Sequence, residues 1–376
     1  MATIDSTLSR IGLQAPWRGQ SVGLDFQGYH MAMTYCRLID ELSCKSGTKP
    51  EKELRCLERV LENIVSKDWS QKRIHLIDLG TGSGHKMIPV IEAMNRSGIR
   101  AVRYLPVDKN PYMSRYAILT ILGSGKRAWN RQEVEILFGP LGDLDFVEAQ
   151  DTDSITIETL VRLSMSHATR SDLIVREDVI VPMTGLEIDF FQDLPSVASA
   201  GRTLHGNGSH CFCMLGNTFG NYSPQQQKVF LATLYAEMEA GDLFLLGVGL
   251  RPTRERCSFE AVRLLEREYL PGEAFLRLRA DCPQSKYRPK YDPESCSVIH
   301  NFERPDQSMQ EMGYSYLFDA TELVNDLDAA GFEAVSCESY PGLSGGKATS
   351  ESQNEPQYLT ILVRKPSSVG RTANES

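Results

Sequence analysis

The stretch that decides the fold is Ile74-His75-Leu76-Ile77-Asp78-Leu79-Gly80-Thr81-Gly82-Ser83-Gly84. Its first half is a short apolar run, the pattern of a parallel strand buried on both faces. Its second half places a glycine at every other position, so the backbone can turn tightly and approach a ligand, with a helix N-terminus behind it. The next segments continue the rhythm: a helix over 87–94, a strand over 102–107 ending at Asp108, and a helix from Pro111 to about Leu122. Strand, helix, strand, helix is the signature of a doubly wound, Rossmann-like α/β sheet. A carboxylate at the end of the second strand can accept both hydroxyls of a ribose, so the turn and Asp108 together point to a nucleoside cofactor.

Further along, strands are expected over 210–215 and 242–248 with a helix over 225–240 between them. A helix over 317–330 and strands over 332–340 and 358–364 suggest an antiparallel finish to the sheet. Upstream, 29–42 and 51–65 carry apolar residues at helical spacing. With 376 residues, the chain suits two domains. The expected division is an N-terminal helical part of a substrate domain (1–70), a core (71–250) with an expanded 123–185 segment, a substrate-domain insertion (251–313), the rest of the core (314–366) and a tail (367–376).

Composition narrows the partners. Lys plus Arg number 40 against 49 Asp plus Glu, a net charge of −9, which disfavours nucleic acid. No apolar run approaches the roughly 20 residues that span a bilayer, and the N-terminus lacks a secretory pattern. The expectation is a cytoplasmic protein acting on a small molecule, with neither nucleic acid nor membrane as partner. The nine cysteines show no zinc spacing. Cys211 and Cys213 fall on one face of a strand, where small buried hydrophobes are expected rather than metal ligands.

The cofactor is read from the glycines. G-x-G-x-G differs from the dinucleotide fingerprint G-x-G-x-x-G in its last spacing, and His85 and Lys86 follow it. D-x-G-x-G-x-G with an acidic residue closing the second strand resembles the class I methyltransferases, which bind S-adenosylmethionine. A third acidic turn, Gly185-Leu186-Glu187-Ile188-Asp189-Phe190, is available for the adenine. In order and context, LIDLGTGSGHKM, YLPVDKN, EIDFFQDLP, MLGNTFGNYSP and DLFLLGVGL resemble the histidine-specific Nα-methyltransferase family over roughly 74–250. The resemblance implies that Gly80, Gly82, Gly84, Lys86, Asp108, Asp189 and Phe190 bind cofactor, and that Gly216 and Asn221 hold the acceptor. An amide at 221 can orient an amine without protonating it; the alternative is an asparagine that caps the helix starting near Pro224.

The resemblance weakens at the acceptor. The family grips the imidazole of histidine with a carboxylate and a hydroxyl late in the insertion. The comparable stretch, Ser297-Val298-Ile299-His300-Asn301-Phe302, has no carboxylate. Asn301 is the candidate acceptor contact there, and Tyr29 is the one near the N-terminus, with Phe26 and Tyr35 as looser candidates. Arg251, Arg254, Arg256, Lys286, Arg288 and Lys290 form either an anion site or a solvated face. The expected activity is methyl transfer to the amino group of an amino acid or amino-acid-derived small molecule other than histidine. Alternatives are O- or C-methylation of a natural product, a non-catalytic S-adenosylmethionine-binding protein, and a nicotinamide dehydrogenase.

Overall fold

The apolar run 74–79 forms the middle of a sheet. The computed structural model describes residues 32–33, 35–37, 49–62, 73–96, 102–125, 128–130, 132, 155–166, 173–175, 179–182, 185–205, 208–251, 286–340 and 357–367. In chain order the elements that build the core begin with α1 (Lys49–Glu62), β1 (Ile74–Leu79), α2 (Met87–Arg96), β2 (Val102–Asp108) and α3 (Pro111–Leu122). Two short strands, β3 (Ala128–Trp129) and β4 (Ile155–Thr156), pair with each other ahead of α4 (Ile157–Ser166). There follow β5 (Leu173–Val175), β6 (Val179–Pro182), β7 (Leu186–Glu187), α5 (Leu194–His205), β8 (Ser209–Met214), α6 (Pro224–Glu237) and β9 (Leu243–Leu250). The chain closes with β10 (Lys286–Asp292), β11 (Ser297–Glu303), β12 (Met309–Tyr316), α7 (Ala320–Ala329), β13 (Glu333–Tyr340) and β14 (Gln357–Arg364).

Among the described residues the large sheet runs β13-β14-β9-β8-β1-β2-β6-β5, with β7 also pairing β2. Strands β9, β8, β1, β2 and β6 are parallel. At the far edge β14 lies antiparallel to β9 and β13 antiparallel to β14, the expected finish. From β1 the chain builds outward through β2 and β6, then returns to place β8 on the other side of β1. The order therefore reverses at β1, and the crevice at the carboxyl ends of β1 and β8 is where open α/β sheets bind ligands.

Alternation along each strand fills both faces. Ile77, Leu79, Phe212, Met214, Phe244 and Leu246 pack under α5, α6 and α7. Ile74, Leu76, Cys211, Cys213, Leu243 and Leu245 pack under α1, α2 and α3. The two thiols share a face, 3.8 Å apart and fully buried, and burial pushes the Cys213 thiol well up. Among the described residues no cluster suits a metal ion.

Beside this core stands a separate antiparallel sheet, β10-β11-β12, which begins within the expected substrate-domain insertion. Its last strand runs through the expected 313/314 domain boundary and ends against the 216–221 turn, where Asn217 Nδ2 donates to the Tyr316 carbonyl at 3.3 Å. No helix among the described residues is long and apolar enough to cross a membrane.

Candidate active site

The glycine turn leaves β1 with Gly80, Gly82 and Gly84 all at positive φ (72°, 53° and 73°). A Cβ on Gly80 would stand 2.8 Å from Thr218 Cγ2, so the turn lies directly against the loop after β8. Gly82 lines the cleft, and among the described residues the Tyr35 ring is 3.6 Å from its would-be Cβ. Gly84 differs from Gly80 and Gly82 in what surrounds it. A side chain there would meet the Ala117 backbone of α3 at 2.8 Å, so this glycine lets turn and helix pack closely.

Beneath the turn is a closed triad that sequence spacing did not reveal. Asp78 Oδ2 accepts from Thr81 Oγ1 at 2.7 Å and from the Tyr104 hydroxyl at 2.9 Å, and those two hydroxyls are 2.8 Å apart. Burial pushes the Asp78 carboxyl up to about 6, against the opposing pull of Thr81, Tyr104 and Lys86. Asp108 lies at the end of β2, where its Oδ1 accepts from the Asn110 backbone at 2.9 Å. Burial pushes it, too, up to about 6, although Asn110, Lys109 and the Gly82 N–H pull it down.

These groups open onto one cleft of about 660 Å³, its mouth included, lined by Tyr35, Gly80, Gly82, Asp108, Asp189, Phe190, Thr218, Asn221 and Tyr222 among others. Asp189 is set by its own turn, with Oδ1 accepting from the Phe191 N–H at 3.2 Å. Phe191 stacks between Phe230 and Tyr222, the latter a residue of the cleft lining. Burial, then Asp189 and Asp108, push the Tyr222 phenol up; burial, Cys36, Glu53 and Asp108 do the same to Tyr35. Two carboxylates set among phenols, an amide and the Lys109 ammonium suit a ligand that carries hydroxyls.

Asn221 ends a 3₁₀ turn, Thr218–Asn221. The capping alternative fails, because Ser223 caps α6: its hydroxyl accepts from Gln226 N while the Gln226 side chain accepts from Ser223 N. The structural asparagine of the loop is Asn217, left-handed at φ 62°, whose Oδ1 accepts from Gly249 N at 3.0 Å. Asn221 lines the cleft, and its side-chain amide has no hydrogen-bond partner among the described residues.

Other expected residues lie elsewhere. Lys86 and Gly216 meet each other in a second, smaller crevice of about 250 Å³ with Glu53, Gly247, Tyr358 and Thr360, and Lys86 forms an ion pair with Glu53. Asn301 stands in the central strand of the small sheet opposite Arg288 and Glu311, outside the cleft lining, because that sheet touches the site through β12. Tyr29 and Phe26 lie outside the described residues, and Tyr35 lines the cleft. His300 is buried between the Tyr287 hydroxyl and Ser315 Oγ, the latter 3.0 Å from Nε2, as a satisfied core histidine. Of the basic residues, Arg288 pairs with Glu303 and Arg251 pairs with Asp319 and Glu322, while Arg254 and Arg256 lie outside the described residues.

A parallel sheet reversing at β1, a glycine turn at that reversal and a carboxylate closing β2 define the class I methyltransferase fold. Residues 166–258, which carry Asp189, Phe190 and the 216–221 turn, match the family model described as histidine-specific methyltransferase, SAM-dependent. The protein is an S-adenosylmethionine-dependent methyltransferase. No curated protein matches the chain significantly. Among solved structures it is similar to the CcbJ methyltransferase from Streptomyces caelestis at 13% identity and TM-score 0.41, covering 93% of this chain and 100% of that one. The 1,6-didemethyltoxoflavin-N1-methyltransferase of Burkholderia thailandensis follows at 12%, TM-score 0.35 and 94% of each chain. Likenesses of that depth carry nothing about the acceptor.

Proposed function

We propose that the protein methylates the amino group of an amino acid or amino-acid-derived small molecule other than histidine, in the cytoplasm. S-adenosylmethionine supplies an electrophilic methyl group on a sulfonium. In this reading Asp108 accepts from the ribose hydroxyls, Asp189 and Phe190 hold the adenine end, and Gly80 and Gly82 admit the ligand against the backbone. Asn221 orients the acceptor: its carbonyl accepts an N–H while its NH₂ donates to an oxygen of the same molecule. An amide gives the amine no proton, so the nitrogen lone pair stays available, and alignment supplies most of the rate. Removal of the ammonium proton falls to solvent.

The observation that carries this reading is the Asn221 amide lining the cleft with no hydrogen-bond partner among the described residues, while Ser223 does the capping. Exclusion of histidine is supported by the stretch 297–302, which lacks a carboxylate and commits His300 to Tyr287 and Ser315. The cytoplasmic placement rests on the described free cysteines, Cys36, Cys56, Cys211, Cys213, Cys296 and Cys337, which suit a reducing compartment. Asn221→Ala tests the function: turnover is expected to fall about a hundredfold with cofactor Kd and melting temperature nearly unchanged. Normal turnover per folded molecule would mean the acceptor is held elsewhere.

A further inference from the structure

Helix α6 opens with three consecutive glutamines, Gln225, Gln226 and Gln227, and they are not alike. Gln225 and Gln226 are exposed, whereas Gln227 is buried, at 6% exposure. A helical side chain leans towards the helix N-terminus, so a buried glutamine near the start of a helix reaches back over the segment that precedes it. Gln227 does this. Its Nε2 donates to the Tyr222 carbonyl at 2.7 Å and to the Phe219 carbonyl at 3.2 Å. Both hydrogens of the amide are thereby used, and two carbonyls facing the same end identify that end as the nitrogen. The two carbonyls bracket Asn221.

The upstream half of the same turn is held from other sides. Gly220 N donates to the Asn217 carbonyl at 2.9 Å, and Asn217 is tied in turn to Gly249 and Tyr316. A Cβ on Gly220 would stand 2.5 Å from the Tyr316 carbonyl, and the buried Phe219 ring stacks on Phe318. Gln227 secures the downstream half, where Asn221 and Tyr222 enter the cleft lining. We infer that Gln227 is a positioning residue for methyl transfer, whose amide fixes the backbone on either side of Asn221 and so sets where the Asn221 amide presents the acceptor. The inference rests on the proposed function, because Gln227 acts through Asn221. Gln227 is not part of the cleft lining, and it lies beyond the MLGNTFGNYSP block that carries the family resemblance. Its leverage comes from geometry: a misplacement on the order of 1 Å at an orienting group can cost about a hundredfold in rate.

A double-mutant cycle tests this, with methyl transfer from S-adenosylmethionine to a pool of amino acids and their derivatives as the readout, counted per folded molecule. Gln227→Met keeps the length of the side chain and removes the amide; Gln227→Glu keeps its shape and, as a carboxylate, has no hydrogen to donate, so either variant serves if the other does not fold. Each is expected to lower turnover about tenfold and to leave the Kd for S-adenosylmethionine unchanged. Placed on Asn221→Ala, each is expected to cause no further loss, because the group it positions is already gone. A merely structural glutamine would lower the melting temperature without this coupling. Normal turnover in the single variants, a loss carried by cofactor Kd, or a loss that multiplies in full onto Asn221→Ala overturns the inference and leaves the role of Asn221 standing. Normal turnover in Asn221→Ala alone overturns the acceptor assignment and this inference with it.

Discussion

Asp78 and Asp108 are both buried carboxylates pushed up to about 6, with different consequences. Asp108 faces the cleft, and only its ionised form is a strong acceptor for two hydroxyls. Cofactor affinity should therefore fall as pH drops below about 6, with Asp108→Asn flattening that dependence; calorimetry across pH 5–8 reads it. Asp108→Ala should weaken binding by about 1.5–3 kcal/mol per charged hydrogen bond lost, and unchanged affinity in a folded variant would dismiss the ribose assignment. Asn221→Asp separates orientation from protonation. A carboxylate there keeps an acceptor but favours the ammonium form of the substrate, so the pH–rate profile should shift upward.

At the scale of elements, much was legible where local chemistry decides. Pro111–Leu122 appears with the expected bounds because Asn110 caps Tyr112 N and proline opens the helix. Helix α6 starts at Pro224 through the Ser223 capping box, and Ser223→Ala should cost about 1 kcal/mol, seen as a lowered melting temperature with normal turnover per folded molecule. The small sheet was not legible. Pro289 interrupts β10 at an edge, where a proline is tolerated, and left-handed Cys296 and Gln307 turn the chain without glycine. Contacts made across crossovers were hidden for a different reason. Tyr104 reaches Asp78 only through the register of β1 on β2, which pairs Asp78 with Pro106 and Leu76 with Tyr104. Lys86 and Gly216 likewise meet only because β1 and β8 are neighbours.

For the whole molecule, the buried carboxylates and His210 set opposite pH trends. Burial raises Asp78 to about 6 in the fold from the ordinary carboxylate value of 3.8, so the native state binds more protons in that window. Its contribution to stability is full below the unfolded value and is lost as pH rises towards 6. His210 is held below its ordinary value by burial, so its contribution is full above about 6.5 and is lost as pH falls. Relative to wild type, Asp78→Asn should gain about 3 kcal/mol between pH 4 and pH 7, measured by denaturant unfolding. A flat difference would show that Asp78 is ionised in the fold throughout. The most direct measurement of the central claim follows a labelled methyl group. The protein is incubated with methyl-labelled S-adenosylmethionine and a pool of amino acids and their derivatives, and the labelled product's position is read by NMR. The account predicts label on the α-nitrogen of an acceptor other than histidine; label on oxygen, on carbon or on histidine would contradict it.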